Sequence, residues 1–277
     1  MKQTLRGVES LSLQQIMHEV YSKLSSIKHV VAVLSSKGGV GKSVIASSIA
    51  IYAAMHGKKV AIFDADMHGS SIPWLIGLRN AFAAISIDGI IKPVERDTIA
   101  VLSIELFLKE KNAPVVWRGP LKTRTILDFL SRTEWGERDL MVIDLPPGTG
   151  DEALTIAQTL KDRINGVVLV LTPGLMVSHV VTKAYEFLKM LNLPLLGTVL
   201  NMAYFKCPHC GNVYRVFGSQ PQIPNEGPLI EIPLDPKLAE AVDSGQLYEF
   251  LKASESEGAQ KLREMAHTIL SRLGVWQ

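Results

Sequence analysis

Residues 36–43 read Ser-Lys-Gly-Gly-Val-Gly-Lys-Ser and directly follow the apolar run 30–34. The apolar run predicts a buried strand, and residues 44–56, mostly Ala, Ile and Ser without a helix breaker, predict a helix. Glycines between a strand and a helix let backbone N–H groups approach an anion, because no Cβ is in the way. The stretch therefore predicts a nucleotide-phosphate cradle in an α/β fold.

Two residues of the cradle, Lys42 and Ser43, have expected roles in nucleotide binding. Lys42 is placed to reach the β- and γ-phosphates, and Ser43 to offer its hydroxyl to Mg²⁺. The Walker A pattern G-x-x-x-x-G-K-[ST] has Ser36 at its first position, and Lys37 makes this the deviant form of the motif. A glycine-rich surface turn that merely carries lysines is disfavoured, because the flanking strand and helix are both predicted. The candidate nucleotide-binding residues of the loop are Ser36, Lys37, Gly38, Gly39, Val40, Gly41, Lys42 and Ser43.

Carboxylates follow two further apolar strands. Asp64 and Asp66 come at the end of one strand, and Asp144 follows the apolar residues 140–143. Ligands of open α/β sheets bind at the carboxyl ends of the strands. We expect Asp66 to position an attacking water, Asp64 to hold the Mg²⁺ water shell or the loop, and Asp144 to hold a magnesium-bound water as a Walker B aspartate. The alternative for Asp64 and Asp66 is an ordinary solvated strand end.

The segment 146–151, Pro-Pro-Gly-Thr-Gly-Asp, begins two residues after Asp144. Gly148 is expected to present its N–H to the γ-phosphate, and Gly150 to give the segment freedom to move. Such a segment is typical of a switch loop that senses hydrolysis.

Composition excludes several classes of function. The 277 residues carry 29 basic and 27 acidic side chains, a net charge of +2, so no electrostatic footprint for nucleic acid or an anionic membrane is present. The longest apolar segments, 164–171 and 195–200, are too short to span a bilayer, and the N-terminus lacks a signal-peptide layout. We therefore expect a cytoplasmic protein with neither nucleic acid nor membrane as a partner.

Apolar runs alternate with helical patterns along the chain, which predicts a mostly parallel sheet with helices on both faces. The helical spacing of residues 11–27 predicts an N-terminal helical extension over 1–28. A single ATPase domain is expected over 29–277, with an inserted loop at about 201–228 and a hairpin-like excursion over 87–104. Beyond the strand before the cradle, strands are expected at 60–63, 99–104, 140–143, 167–171, 196–200 and 229–232.

Cys207 and Cys210 are the two cysteines of the chain. Their spacing lets two thiolates face one metal, with Gly211 supplying a tight turn. A site with four thiolates needs two chains, unless His209 or another group completes it. An iron-sulfur cluster that bridges a dimer is favoured over zinc at the same site, over a redox-active cysteine pair and over a half-knuckle turn that binds no metal.

The chain resembles the Mrp/ApbC iron-sulfur cluster carriers within the MinD/ParA-like deviant P-loop ATPases, a group of the SIMIBI type. The resemblance extends from about residue 28 to the C-terminus, and the cysteine motif separates these carriers from the partition ATPases. The residues that carry it are 36–43, 64–66, Trp117-Arg118-Gly119-Pro120, 144–151, Asn201-Met202 and 207–211.

This resemblance implies slow ATP hydrolysis with Mg²⁺, a homodimer, a labile [4Fe-4S] cluster between the subunits, and its transfer to apo iron-sulfur proteins. It also implies that Lys37 reaches the phosphates of the partner subunit, that Asp66 orients the water, and that Asn201 reads the adenine edge. Lys37, Lys42 and Asp66 are thus the candidate catalytic residues.

Two other functions were weighed. The first is a MinD/ParA-like positioning ATPase that binds a membrane or DNA, which the near-neutral charge and the cysteine pair oppose. The second is a zinc-stabilised ATPase scaffold, which differs only in the metal. The helical pattern at 258–273 is better explained by a core-facing helix than by a membrane anchor.

Overall fold

The computed structural model describes residues 12–35, 37–67, 69–108, 119–148, 150–174, 177–218 and 228–276. Ser36 of the predicted cradle, Trp117 and Arg118, and residues 219–227 of the predicted inserted loop lie outside the described residues.

The strands of the described chain are short and mostly buried. They are β1 (Ile27–Ser35), β2 (Val60–Asp64), β3 (Ala84–Ile85), β4 (Ile91–Lys92), β5 (Val94–Arg96), β6 (Ile99–Leu102), β7 (Arg138–Asp144), β8 (Gly166–Leu171), β9 (Leu195–Leu200), β10 (Phe205–Lys206), β11 (Val213–Tyr214) and β12 (Leu229–Glu231).

The helices lie between most of these strands. They are α1 (Leu13–Leu24), α2 (Lys42–Met55), α3 (Ile72–Leu75), α4 (Gly119–Arg132), α5 (Asp151–Leu160), α6 (Val177–Leu191), α7 (Pro236–Ser244), α8 (Leu247–Ala253) and α9 (Glu257–Leu273), with a 3-10 helix at Ile104–Phe107. No helix among the described residues is both long and apolar enough to cross a membrane.

The main sheet has the strand order β12-β9-β8-β1-β7-β2-β6-β5 in the described chain. Its neighbours pair in parallel, except that β5 runs antiparallel to β6. The strands β2 and β8 are buried along their length and β1 is buried from Val30 to its end, because helices cover both faces of the sheet, so their sequences are continuous apolar runs. The predicted α/β fold with a mostly parallel sheet is confirmed.

Two apolar cores lie on opposite faces of the sheet. One contains buried side chains of α1, α4, α5 and α6, and the other those of α2, α3, α7, α8 and α9. Ile16, Val20 and Leu24 of α1 are buried against the domain, and Ser12 begins this helix with a capping box. Residues 1–11 of the predicted N-terminal extension lie outside the described residues. The predicted C-terminal helix is also core-facing.

Three expectations are refined by the structure. The strand predicted over 99–104 ends at Leu102, because Ser103 begins the 3-10 helix. The excursion begins before residue 87, because β3 at Ala84–Ile85 forms a hairpin with β4; β5 and β6 form a second hairpin, and β6 also pairs with β2 in the main sheet. The region predicted as a loop without regular structure contains the hairpin β10–β11, which carries both cysteines between its strands.

Candidate nucleotide site and cysteine hairpin

The predicted site residues meet at the carboxyl end of the sheet. The strands β1, β7 and β2 are neighbours, and Asp144 is in register with both Val33 of β1 and Asp64 of β2. Since parallel strands end at the same edge, the loop after β1 and the carboxylates after β2 and β7 are brought together. The three motifs therefore form one site, as the sequence predicts.

The loop after β1 has the backbone that a phosphate cradle needs. Gly39 and Gly41 have φ of +75° and +84°, the left-handed region that favours glycine. No atom lies within 4 Å of where a Cβ on Gly38 or Gly39 would stand, so the outer side of the loop is open. The helix α2 begins at Lys42, and the N–H groups of a first helical turn have no partner within the helix. An anion can therefore bind there.

Lys42 and Ser43 both contact Asp144. Lys42 Nζ lies 2.6 Å from Asp144 Oδ1, and Ser43 Oγ donates to Asp144 Oδ2 at 2.6 Å. The Asp144 side chain is fully buried. Burial raises the pKa of Asp144, and the Lys42 ammonium opposes that rise. The loop lysine, the loop serine and the strand-end aspartate thus form one hydrogen-bonded group.

Asp64 is the centre of a second group of polar side chains. Its carboxylate accepts hydrogen bonds from Ser70 Oγ at 2.6 Å and from Ser103 Oγ at 3.1 Å. It also accepts the backbone N–H of Asp66 at 3.1 Å. Burial, followed by the charge of Asp144, raises the pKa of Asp64 to about 7. Asp64 thus fixes the segment that carries Asp66.

Asp66 faces the cradle. Asp66 Oδ2 lies 3.9 Å from Lys42 Nζ, and Asp66 Oδ1 accepts the N–H of Gly69 at 3.1 Å. Both Lys42 and Asp66 line a cavity of about 750 Å³, together with Lys37, Gly38, Ser43 and Ser70. The exposed Lys37 lies at this cavity. The cavity brings together the candidate catalytic residues Lys37, Lys42 and Asp66.

Gly148 lies next to the end of β1 in this structure. Its N–H donates to the carbonyl of Ser35 at 2.9 Å. Its φ is +86°, in the left-handed region. The predicted contact between this N–H and a γ-phosphate stays a prediction, and it requires the bond to Ser35 to break.

Asn201 lies beneath the cradle at the end of β9. Its side chain is buried, and Nδ2 donates to the carbonyl of Val40 at 2.9 Å. A Cβ added to Gly41 would lie 2.3 Å from this nitrogen, so the amide packs directly against the loop. Asn201 is thus a support of the cradle, and its predicted contact with adenine stays a prediction.

Cys207 and Cys210 lie at the end of the hairpin β10–β11. A tight turn holds them: Gly211 N–H donates to Cys207 O at 2.9 Å, and Cys207 N–H to Asn212 O at 2.9 Å. Cys210 is exposed and Cys207 half-buried. Hydrogen bonds from the backbone of Cys210 and His209 lower the pKa of the Cys207 thiol, which favours the thiolate that binds metals.

The described residues contain no group of three or more His, Cys, Asp or Glu side chains placed to hold a metal ion. Within that part of the chain the thiol pair therefore has no third ligand of this kind. A complete four-ligand site must draw on another source of donors, as the sequence also indicates.

Ser70 and Ser103 were missed by the sequence reasoning as partners of Asp64. Ser103 directly follows the apolar residues 99–102, just as Asp144 directly follows the apolar residues 140–143, and this was an available signal. For Ser70 the sequence offers no comparable signal, because its contact depends on how the segment after β2 folds back.

Fold and site together define a P-loop nucleoside triphosphatase with a deviant Walker A motif. The model of the ParA family, described as NUBPL iron-transfer P-loop NTPase, matches residues 26–270. The chain belongs to this family. The resemblance to the iron-sulfur carriers among the MinD/ParA-like ATPases is thereby confirmed.

Relatives of known name match most of the chain. An "iron-sulfur cluster carrier protein" of Saccharolobus solfataricus is 39% identical over 93% of this chain and 88% of its own length. A protein of the same name from Methanocaldococcus jannaschii is 40% identical over 94% of this chain and 91% of its own. The "cytosolic Fe-S cluster assembly factor nubp2" of Danio rerio is 38% identical over 90% and 96%.

Two solved structures are similar in fold to this chain. A nucleotide-binding protein of Archaeoglobus fulgidus in complex with ADP has a TM-score of 0.71 and 38% identity, covering 84% of this chain and 93% of its own. The cell division ATPase MinD of Pyrococcus furiosus has a TM-score of 0.60 at 22% identity, covering 88% of this chain and 98% of its own. At this low identity, the similarity to MinD shows the fold alone.

Proposed function

We propose that this chain binds and slowly hydrolyses ATP, and that two copies hold a [4Fe-4S] cluster between them and transfer it to apo iron-sulfur proteins. The observation that carries the proposal is the pair Cys207 and Cys210 on a hairpin of a P-loop ATPase fold, with the Cys207 pKa lowered. The names of the relatives agree with this cargo.

The cavity at the cradle suits a nucleoside triphosphate. Lys42 neutralises phosphate charge within the subunit, and the first turn of α2 offers N–H groups to the β-phosphate. Mg²⁺ binds oxygen ligands, and Ser43 Oγ, whose residue lines the cavity, lies 2.6 Å from Asp144 Oδ2. Ser43 would ligate the ion, and Asp144 would hold one of its waters. Bound there, Mg²⁺ neutralises charge on the phosphates.

Hydrolysis needs a water aligned with the terminal phosphate. Asp66 lines the cavity close to Lys42, and its contacts with Gly69 and Asp64 fix its segment, which supports a role for this carboxylate in orienting the water. Lys37 lies exposed at the same cavity, which suits a lysine that reaches the nucleotide of a partner subunit. Asn201 would contact the adenine through its side-chain carbonyl oxygen, because its Nδ2 donates to Val40.

The cargo site needs a second copy. A cubane cluster is held by four thiolates, and the chain has two cysteines. A two-fold axis that brings two hairpins together supplies all four donors. The relative from Danio rerio is named a cytosolic factor, which supports a cytoplasmic location.

The test is anaerobic reconstitution with iron and sulfide, followed by a visible spectrum and iron analysis. One cluster for every two chains is expected, and Cys207→Ala or Cys210→Ala should each abolish it while leaving ATP binding intact. His209→Ala is the matched control, because it alters the same turn without removing a thiolate, and should keep the cluster. A cluster in every monomer would overturn the bridging arrangement, and a colourless protein that contains zinc would favour the zinc-stabilised scaffold.

A further inference from the structure

Asn201 touches the nucleotide cradle directly. Its side chain is 6% exposed, its Nδ2 donates to Val40 O at 2.9 Å, and Gly41 has no room for a Cβ beside it. A shift of the backbone at Val40 and Gly41 must therefore displace this amide or break its hydrogen bond. Asn201 is thus a contact through which the phosphate loop can act on the end of β9.

The chain between Asn201 and the cysteines is short and held at nearly every residue. Asn201 N–H donates to Leu171 O at 2.8 Å, and Ala203 N–H donates to Ile232 O at 2.9 Å. The next residue, Tyr204, accepts the N–H of Leu234 at 2.7 Å through its carbonyl. The strand β10 follows at once and leads to Cys207. Because these hydrogen bonds hold the backbone, a displacement of Asn201 is expected to move Cys207 and Cys210 as well.

Met202 is an unusual residue within this connection. Its φ is +56°, a left-handed backbone that residues other than glycine rarely adopt. Such conformations are energetically unfavourable and persist where the surroundings impose them, often at functional or switching segments. The turn at Met202 is therefore a fixed bend between the cradle and the hairpin.

The hairpin itself is tied to the body by polar contacts. Tyr204 Oη donates to Glu257 Oε1 at 2.8 Å, and Lys206 Nζ lies 3.4 Å from Glu257 Oε2. Arg215 Nη1 lies 2.9 Å from Glu231 Oε1. Residues 208–218 are exposed. Partly exposed ion pairs of this kind contribute little each, so the hairpin can change its orientation at small cost.

We propose that Asn201 is the positioning residue that couples the cradle to the cysteine hairpin, so that nucleotide binding changes the accessibility of Cys207 and Cys210. This coupling rests on the proposed function for what the thiols carry, but it is a property of the metal-free chain. Coupling between two sites typically changes an affinity by about 5- to 150-fold, and the effect is reciprocal. Cargo at the thiols is then expected to change nucleotide affinity in turn.

The experiment measures the alkylation rate of the two thiols by iodoacetamide in the metal-free chain, with and without saturating ADP. In the wild type we expect ADP to change the rate by about fivefold or more. Asn201→Ala should bring the ratio towards one, but it also weakens the cradle. Met202→Gly is therefore the decisive variant, because glycine makes the bend flexible without touching the cavity.

Met202→Gly should bind ADP with the wild-type affinity by calorimetry and lose the effect of ADP on alkylation. Asn192→Gly is the matched control: Asn192 also has a left-handed φ, +55°, and lies before the amino end of β9. It should keep the wild-type ratio. No effect of ADP in the wild type, or an undiminished effect in Met202→Gly, would overturn the coupling. Neither result depends on whether the chain binds a cluster, so the proposed function is tested separately.

Discussion

Lys42 Nζ lies 2.6 Å from Asp144 Oδ1, and both side chains are buried. The lysine that is expected to bind phosphate is therefore already paired with the aspartate that is expected to hold a magnesium-bound water. Asp66 lies 3.9 Å from the same ammonium. A bound phosphate would compete with both carboxylates for the three N–H donors of this ammonium.

Lys42→Ala should weaken the binding of ADP by about 10- to 100-fold, the usual size of a hydrogen bond to a charged group. The free energy of unfolding should also fall by about 3 kcal/mol, because Asp144 is left buried without its cation. Calorimetry and urea unfolding measure the two effects. Lys59→Ala, an exposed lysine beyond the far end of α2, is the control. An ADP affinity within twofold of the wild type would contradict the assignment.

Lys37→Ala should behave differently, because Lys37 is exposed and, in the proposed dimer, would act on the nucleotide of the partner subunit. ATP affinity should stay within about fivefold of the wild type, as expected for a surface charge. The hydrolysis rate should fall by about 10³-fold or more, the effect of a cation supplied in trans during phosphoryl transfer. Phosphate release and nucleotide titration measure the two quantities. Equal losses of affinity in Lys37→Ala and Lys42→Ala would show that both lysines act within one subunit.

The buried Asp64 should make stability depend on pH. Its pKa is about 7 in the folded chain, against an ordinary value of 3.8. Between these values the folded state binds more protons than the unfolded state, so the free energy of unfolding falls as the pH rises through this window. Above about pH 7 the loss is complete. Asp64→Asn should therefore be more stable than the wild type at pH 8, by up to about 4 kcal/mol, and should flatten the slope.

Urea unfolding between pH 4 and 8, without nucleotide and with a chelator, measures this effect. Asp139→Asn is an informative comparison, because Lys28 and the N–H of Lys59 lower the pKa of Asp139. A lowered pKa stabilises the fold above the unfolded value, so that variant should be slightly less stable at pH 8. An Asp64→Asn variant less stable than the wild type at pH 8 would contradict the buried, raised pKa.

The parts of the site that the sequence predicts are those fixed by strand topology. Asp64 and Asp144 each end a buried run, and parallel pairing places them side by side. The orientation of single groups could not be predicted in this way. The Gly148 N–H donates to Ser35, and the Asn201 amide fills the space beside Gly41. Both contacts depend on how segments distant in sequence pack, which no local pattern encodes.

The turn around Cys207 should make its thiol unusually acidic, because backbone groups of Cys210 and His209 stabilise the thiolate. In a Cys210→Ser background, the rate of alkylation by iodoacetamide as a function of pH should have a midpoint below the ordinary value of 9.0. In urea the midpoint should return to the ordinary value.

Gly211→Ala tests whether the turn causes this. Gly211 has a φ of +73°, which alanine adopts only at a cost, so the substitution should open the turn and move the Cys207 midpoint towards the ordinary value. Gly136→Ala is the matched control, since Gly136 has a similar φ of +66° and lies just before β7, at the edge of the sheet away from the cradle. It should cost similar stability and leave the thiol unchanged. If Gly211→Ala also left the midpoint unchanged, the backbone of the turn would not be the source of the acidity of Cys207.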